Sequence, residues 1–359
     1  MINQDRLVST FLELVQIDSP SGQEEEIAQR LMTELKSLGL TVERDTTGNV
    51  IAHLAGEGPP ILLSAHIDTV EPGQGVKPVI KSGIITSDGT TILGSDDKSG
   101  VAAILEVLRV LVEQDLPHPP LEVALTVSEE TGLKGAKGLD LTALRAREGI
   151  VLDSGGEIGT IVISAPSQDN VKAIVHGKAA HAGVEPEKGI NAIVVAAEAI
   201  AAMPLGRIDE QTTANIGRIQ GGTATNIIPD RAEIAGEARS HDEEKLKAQV
   251  QVMTEALKQA AARHRATVEI SVRRSYSTFK LSQEDGIVRK AVAAARTLGL
   301  TPALVASGGG SDANIFNAGG IKTINISAGM DKVHTTEERL AVDDLIKCAA
   351  FLLAILRGQ

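Results

Sequence analysis

Ser64-Ala-His66-Ile-Asp68-Thr-Val70 closes an apolar run from Pro60 to Ala65. A short apolar run behind a Pro59-Pro60 turn reads as a buried strand, and the alternation of a strand puts His66 and Asp68 on one face at its end. That pair suits a metal site. A neutral imidazole ligates zinc, and its second ring nitrogen needs a partner that holds the ring. The pair alone is a weak signal, because His-x-Asp recurs by chance and a histidine closing a strand is commonly structural. Its meaning depends on what stands at the neighbouring strand ends.

On the amino side, Leu7, Phe11, Leu14 and Val15 recur at helical spacing. Ser21-Gly-Gln-Glu24 has the pattern of a capping box, opening a helix with the stripe Ile27, Leu31, Leu35 and Leu38 that Gly39 stops. Strands follow over 41–44 and 49–54. On the carboxyl side, Gly94-Ser-Asp-Asp-Lys-Ser-Gly100 leads into an apolar helix over 101–112. A strand over 121–127 ends in Ser128-Glu129-Glu130, and another over 149–152 ends in Asp153. Strands alternating with helices, with polar residues at the carboxyl ends, indicate an α/β sheet whose ligand sites lie beyond those ends.

The texture changes at about Ser167. A strand over 170–175, an alanine-rich helix over 190–202, two strands flanking Gly221-Gly222, a charged helix over 241–264 and a strand over 267–272 form an α+β set. After Tyr276 the α/β rhythm resumes: a helix over 287–298, a strand over 303–306, Gly308-Gly-Gly-Ser-Asp312, a strand over 321–326 and a last helix from Val342. The expected organisation is a discontinuous α/β domain, residues 1–166 and 277–359, with a mixed sheet between helices. An α+β domain, residues 167–276, is inserted in it.

Composition narrows the partners. The 359 residues carry a net charge of −12 with no basic run, which argues against nucleic acid and anionic membrane. With no tryptophan, one tyrosine and four phenylalanines, the cores must be aliphatic, and aromatic stacking on single-stranded nucleic acid is removed. The one cysteine, Cys348, has no internal partner, which fits a reducing compartment. Met1-Ile-Asn-Gln-Asp-Arg6 lacks a basic region followed by an apolar core, and no stretch has the uncharged length of a membrane span. A cytoplasmic location is expected.

The polar residues at expected strand ends are His66, Asp68, Asp96, Glu129, Glu130 and Asp153, joined by His334 in Lys332-Val-His334-Thr-Thr-Glu337. Two histidines with several carboxylates are the inventory of a dinuclear metal site, with one carboxylate to bridge. Singly, Asp96 or Asp153 reads rather as a helix cap, Glu129-Glu130 as a solvated turn and His334 as a loop residue. Their joint placement favours the metal reading. Consecutive residues leaving a strand point in different directions, so one of Glu129 and Glu130 can ligate while the other faces a water as a base. Neighbouring carboxylates would raise that base's pKa and cations would lower it, a balance the sequence leaves open.

The order His66-x-Asp68, Gly94-x-Asp96-Asp-Lys-x-Gly100, Glu129-Glu130, Asp153, Gly177-x-x-x-His181-Ala-Gly183, Glu237-x-Arg239-Ser240 and His334 resembles a known family over nearly the whole chain. It is the family of di-zinc exopeptidases and amidohydrolases that includes peptidase T (tripeptide aminopeptidase), carboxypeptidase G and acetylornithine deacetylase, and the wording is most similar to the peptidase T branch. The resemblance implies a zinc-exopeptidase catalytic domain with an inserted lid and dimerisation domain. It also implies two zinc ions (Zn2+), with Co2+ or Mn2+ as substitutes, and a short peptide substrate. Asp96 would bridge the metals, with His66 and Asp153 completing one coordination sphere and Glu130 and His334 the other. Glu129 would be the general base, Asp68 would orient His66, and a cis peptide is expected between Asp96 and Asp97.

In the inserted domain the resemblance gives His181 the oxyanion, reached across a homodimer. Asn226 and Arg239 would hold the substrate's carboxylate or backbone, and Gly309, Gly310 and Ser311 would add backbone donors. Without it these residues read as a turn histidine, a loop cap and a strand ion pair. Lys98 is expected to pair with a carboxylate. The expected reaction is release of the N-terminal residue of short peptides. The alternatives are an N-acyl amino acid deacylase, carboxypeptidase or dipeptidase of the same family and, in another class, a metal-stabilised binding protein without turnover, against which Glu129 speaks.

Overall fold

Ile61–His66 is buried at every position and pairs in parallel with Leu121–Thr126 on one side and Glu148–Ser154 on the other. A strand covered on both faces must be apolar throughout, which is why residues 60–65 show a continuous run. The structure, a computed structural model describing residues 1–358, builds a mixed sheet around this triplet. Lys322–Ser327 adds in parallel to Glu148–Ser154 and antiparallel to Thr160–Ala165, and Ala303–Ala306 pairs in parallel with Thr160–Ala165. Beyond Leu121–Thr126, Val50–Leu54 and Thr41–Arg44 follow antiparallel.

The sheet lies between helices. Ser95–Glu113 packs against Ile61–His66 and Glu148–Ser154, and also against Gln4–Val15 and Val342–Arg357. Surrounded in this way, it is buried along most of its length, and its enclosed polar members are paired, as buried Glu106 is with Arg6 Nε at 2.7 Å. A Cβ on Gly100 would lie 2.7 Å from the Leu152 carbonyl oxygen, so glycine is what lets the helix approach the strand that carries Asp153. The expected capping box at Ser21 does not form. The helix runs Glu25–Ser37, and its N-cap, Glu24, makes no side-chain cap. No helix among the described residues is long and apolar enough to cross a membrane.

These elements form one compact unit, Met1–Ser164, Lys280–Ser307 and Ser311–Gln359. The other unit is Ala165–Phe279 with Gly308–Gly310, taking in three glycines besides the segment expected to be inserted. It is an antiparallel sheet in the order Gly206–Arg207, Thr212–Gly221, Arg231–Ser240, Ser167–His176, Thr267–Tyr276. Helices Ala192–Ala201 and Glu243–Arg263 pack on the sheet and on each other. Val171, Ala173 and Val175 alternate inward along Ser167–His176 to meet Val195, Leu246 and Met253, an aliphatic core without aromatic rings.

Candidate metal centre and active site

Three adjacent parallel strands deliver the site. His66 is the last residue of Ile61–His66, Asp153 lies near the end of Glu148–Ser154, and Glu129 and Glu130 stand in the turn after Leu121–Thr126. Asp96 and Asp97 open Ser95–Glu113 with non-helical backbone angles, and the peptide between them is cis, as expected. His334 comes from the loop before Arg339–Ala341, with φ +63°.

These side chains converge. His66 Nε2 lies 3.0 Å from Asp96 Oδ1 and 4.0 Å from Asp153 Oδ1. His334 Nε2 lies 3.2 Å from Asp96 Oδ2 and 2.9 Å from Glu130 Oε1. Asp96 therefore presents one oxygen to each histidine. Donor atoms of His66, Asp96 and Glu130 lie within 4.8 Å of one another, as do those of His66, Asp97 and Asp153. Asp97 is a residue that sequence reasoning passes over, although it is the second of an aspartate pair. Its Oδ2 also accepts the His66 backbone N–H at 3.2 Å.

The electrostatics mark an excess of negative charge. Burial lowers the His66 pKa, but Asp68 and Asp96 outweigh it and raise it well above the ordinary value. Contacts with Asp96 and Glu130 raise His334 to about 10. Burial opposes ionisation of Asp96, yet His334 and His66 hold it below the usual carboxylate range. Burial pushes Asp153 well up, helped by the charge of Asp96, and pushes Glu129 well up, helped by Asp153 and Asp312. Carboxylates outnumber imidazoles here, and the donors are nitrogen and oxygen at ligand spacing. That set fits divalent cations.

Asp68 organises the floor of the site. Its Oδ1 accepts the Glu129 N–H at 2.9 Å, and its Oδ2 accepts the Glu130 N–H at 3.3 Å and the Ser21 hydroxyl at 2.6 Å. His66 Nδ1 is closer to the Asp68 backbone oxygen, at 2.9 Å, than to the carboxylate, at 3.4 Å. The ring is thus held mainly by the carbonyl.

Lys98 departs from its expected carboxylate pairing. It is buried, its Nζ donates to the Ile17 carbonyl at 2.7 Å, and burial lowers its pKa to about 7. The Glu338 carboxylate, also unforeseen, is buried and accepts the N–H groups of Leu93 and Gly94 at 2.9 Å, the Ser95 hydroxyl at 2.6 Å and the Asp96 N–H at 3.2 Å. Asp312 accepts the Thr126 hydroxyl on Oδ2 at 2.5 Å, while its buried Oδ1 has no partner among the described residues. Its only sequence signal is its place after a glycine run.

Ser311 belongs to this same unit. Its N–H donates to Asn314 Oδ1 at 3.1 Å, and its hydroxyl lies 3.3 Å from Asn325 Nδ2. His181, Asn226, Arg239, Gly309 and Gly310 belong to the other unit. There, exposed His181 bridges to Ile227, Ala182 N–H donates to the Asn226 carbonyl at 2.9 Å, and His181 Nδ1 accepts the Gly183 N–H at 3.2 Å. Half-buried Arg239 pairs with Glu237 through Nε at 2.8 Å and Nη2 at 3.1 Å. A Cβ on Gly310 would strike the Tyr276 ring.

A family model for a peptidase dimerisation domain, M20_dimer, matches residues 167–265, and one for peptidase family M28 matches residues 49–184. The chain is 48% identical to an aminopeptidase PepT from Bacillus cereus, with a TM-score of 0.89 over 99% of each chain. It is 44% identical to a tripeptidase from Staphylococcus aureus, with a TM-score of 0.94 over 99% of this chain and 98% of that one. It is also 46% identical, over 99% of each chain, to the uncharacterized protein YqjE of Bacillus subtilis (strain 168).

Proposed function

We propose that this chain, which belongs to the M20 metallopeptidases in their peptidase T branch, is an exopeptidase that removes the N-terminal residue of short peptides. The observation that carries the reading is the junction at Asp96, whose two oxygens face His66 and His334, with Asp153, Glu130 and Glu129 around them. We assign His66, Asp96 and Asp153 to one metal ion and Asp96, Glu130 and His334 to a second. Zinc is favoured by the mixed nitrogen and oxygen donors, with Co2+ or Mn2+ as substitutes. When bound, such ions polarise a scissile carbonyl and acidify a water.

The chain's own groups do the rest. Glu129 takes a proton from the attacking water as the oxygen bonds to the carbonyl carbon, and hands it to the departing amine as the C–N bond breaks. Burial and acidic neighbours raise this carboxyl's proton affinity, and bound cations would draw it back down. Asp68 fixes the direction of Glu129 through its amide, and of His66 through the Asp68 carbonyl. Our reading gives His181 the oxyanion, Asn226 and Arg239 the polar groups of the peptide, and Gly309, Gly310 and Ser311 supporting contacts. We further infer a homodimer formed through the unit containing residues 167–265, in which His181 serves the partner's site, and a cytoplasmic setting for a chain whose only cysteine is free.

The deciding experiment compares zinc-loaded and chelator-treated protein on a tripeptide and on its N-acetylated counterpart. Metal-dependent release of the first residue from the free-amine peptide alone is expected. Cleavage of only the blocked peptide overturns the aminopeptidase reading in favour of a deacylase or carboxypeptidase. Light scattering that finds a fully active monomer overturns the role of His181 across subunits.

A further inference from the structure

Ser21-Gly-Gln-Glu24 forms no capping box; Glu24 reaches the turn that carries Glu129, and Ser21 reaches Asp68, which binds the amides of that turn. Ser21 Oγ donates to Asp68 Oδ2 at 2.6 Å. Glu24, only 6% exposed, accepts on Oε1 the Ser128 N–H at 3.0 Å, the Ser128 hydroxyl at 2.8 Å and the Gly22 N–H at 2.7 Å. Ser128 immediately precedes Glu129 and has φ +51°. That left-handed conformation costs a residue with a Cβ roughly 1–2 kcal/mol, so it persists where its surroundings impose it. Here the imposing group is a buried carboxylate that takes both of the serine's donors.

We propose that Ser21 and Glu24 are positioning residues that clamp the Glu129–Glu130 turn from two sides. Glu24 acts through Ser128, setting the backbone from which Glu129 departs. Ser21 acts through Asp68, whose two oxygens take the amides of Glu129 at 2.9 Å and Glu130 at 3.3 Å. The clamp is itself anchored. Lys98 Nζ holds the Ile17 carbonyl at 2.7 Å, and Thr69 N–H donates to the Ser19 carbonyl at 2.9 Å. A four-residue segment distant in sequence thereby couples the aim of the base to that of an adjacent ligand. The functional part rests on the reading of Glu129 as the base. The geometric part does not.

The chemistry of the clamp separates its variants. Glu24 works as an acceptor, so Glu24→Gln keeps an oxygen for Ser128 and Glu24→Ala keeps none; Ser21→Thr keeps the hydroxyl and Ser21→Ala loses it. In the full-length protein, with metal content measured for each variant, two quantities are read: tripeptide turnover, and backbone hydrogen exchange of the peptide spanning 127–134. Glu24→Ala and Ser21→Ala are expected to lower kcat by roughly 10–100-fold with KM changed less than about twofold, as for other groups that orient a metal site from behind. Exchange at 127–134 should rise by about tenfold or more, with exchange of the Glu243–Arg263 helix unaltered. Glu24→Gln and Ser21→Thr should restore both readouts.

Wild-type exchange at 127–134 in Glu24→Ala overturns the clamp. Faster exchange with full kcat overturns its role in positioning the base, and a Gln variant as impaired as the Ala variant overturns the acceptor chemistry. If the wild type fails to release an N-terminal residue, the functional reading falls, and the exchange comparison alone still decides whether Glu24 and Ser21 hold the turn.

Discussion

Asp68 Oδ1 accepts the backbone N–H of Glu129 at 2.9 Å, joining the end of one parallel strand to the turn after its neighbour. The partner carboxylate oxygen is shared between the Glu130 N–H and the Ser21 hydroxyl, so every lone pair so used faces a donor. Asp68→Asn replaces one acceptor oxygen with a donor that must meet another donor. The variant is expected to lose on the order of 100-fold in kcat/KM while keeping most of its metal. Steady-state kinetics beside metal analysis checks this, and near wild-type kcat/KM would show that the amides need no such anchor.

Partial burial, with the nearby charges of Asp153, Asp312 and Glu130, raises the proton affinity of half-buried Glu129. Glu129→Gln preserves shape and removes the proton acceptor. Turnover should fall by roughly 100- to 10,000-fold with the metal retained. Hydrolysis at the wild-type rate in a metal-replete Gln variant would exclude Glu129 as the base.

Glu338 receives three backbone amides and one hydroxyl from residues 93–96, the segment that presents Asp96. Glu338→Ala leaves those buried donors unmet, at a cost on the order of 3 kcal/mol. Glu338→Gln fares little better, because its amide group points hydrogens at donors. Both variants should melt several degrees lower after chelator treatment and bind metal more weakly, as thermal melting and metal titration would show. A Gln variant with wild-type melting would mean the segment holds itself.

The legible part of this site follows from burial. Ile61–His66 and Leu121–Thr126 are buried throughout, so they read as apolar runs, and the carboxyl-end rule for α/β sheets then points to His66, Glu129 and Glu130. What sequence reasoning misses acts over distances that no local pattern encodes. Glu24 meets Ser128 104 residues on, and Glu338 meets Asp96 across 242. Ser21-Gly-Gln-Glu24 shows how a local reading fails: the same spacing serves a helix cap or two long-range acceptor and donor contacts, and here the tertiary partners outcompete the local one. Asp97 escapes such a reading because adjacent aspartates point apart, and only the folded backbone shows that both reach His66.

Asp312 supplies a pH test at a group that is not itself one of the proposed metal ligands. Burial raises its carboxyl from an ordinary 3.8 to about 6, while the Thr126 hydroxyl bond offsets part of that rise. The folded state therefore binds this proton more tightly than the unfolded chain. Its contribution to stability is complete below pH 3.8 and is lost as pH rises through about 6. A rise of that size limits the effect to about 3 kcal/mol. Asp312→Asn cannot ionise, and its amide oxygen can still accept from Thr126, so the variant should gain stability relative to wild type between pH 4 and pH 8. Thermal melts of both chelator-treated proteins across that range should show the difference in melting temperature growing from pH 4 to a little above pH 6 and level beyond it. A difference that stays constant would mean that Asp312 does not titrate there, and that its partnerless Oδ1 is accommodated as a full charge.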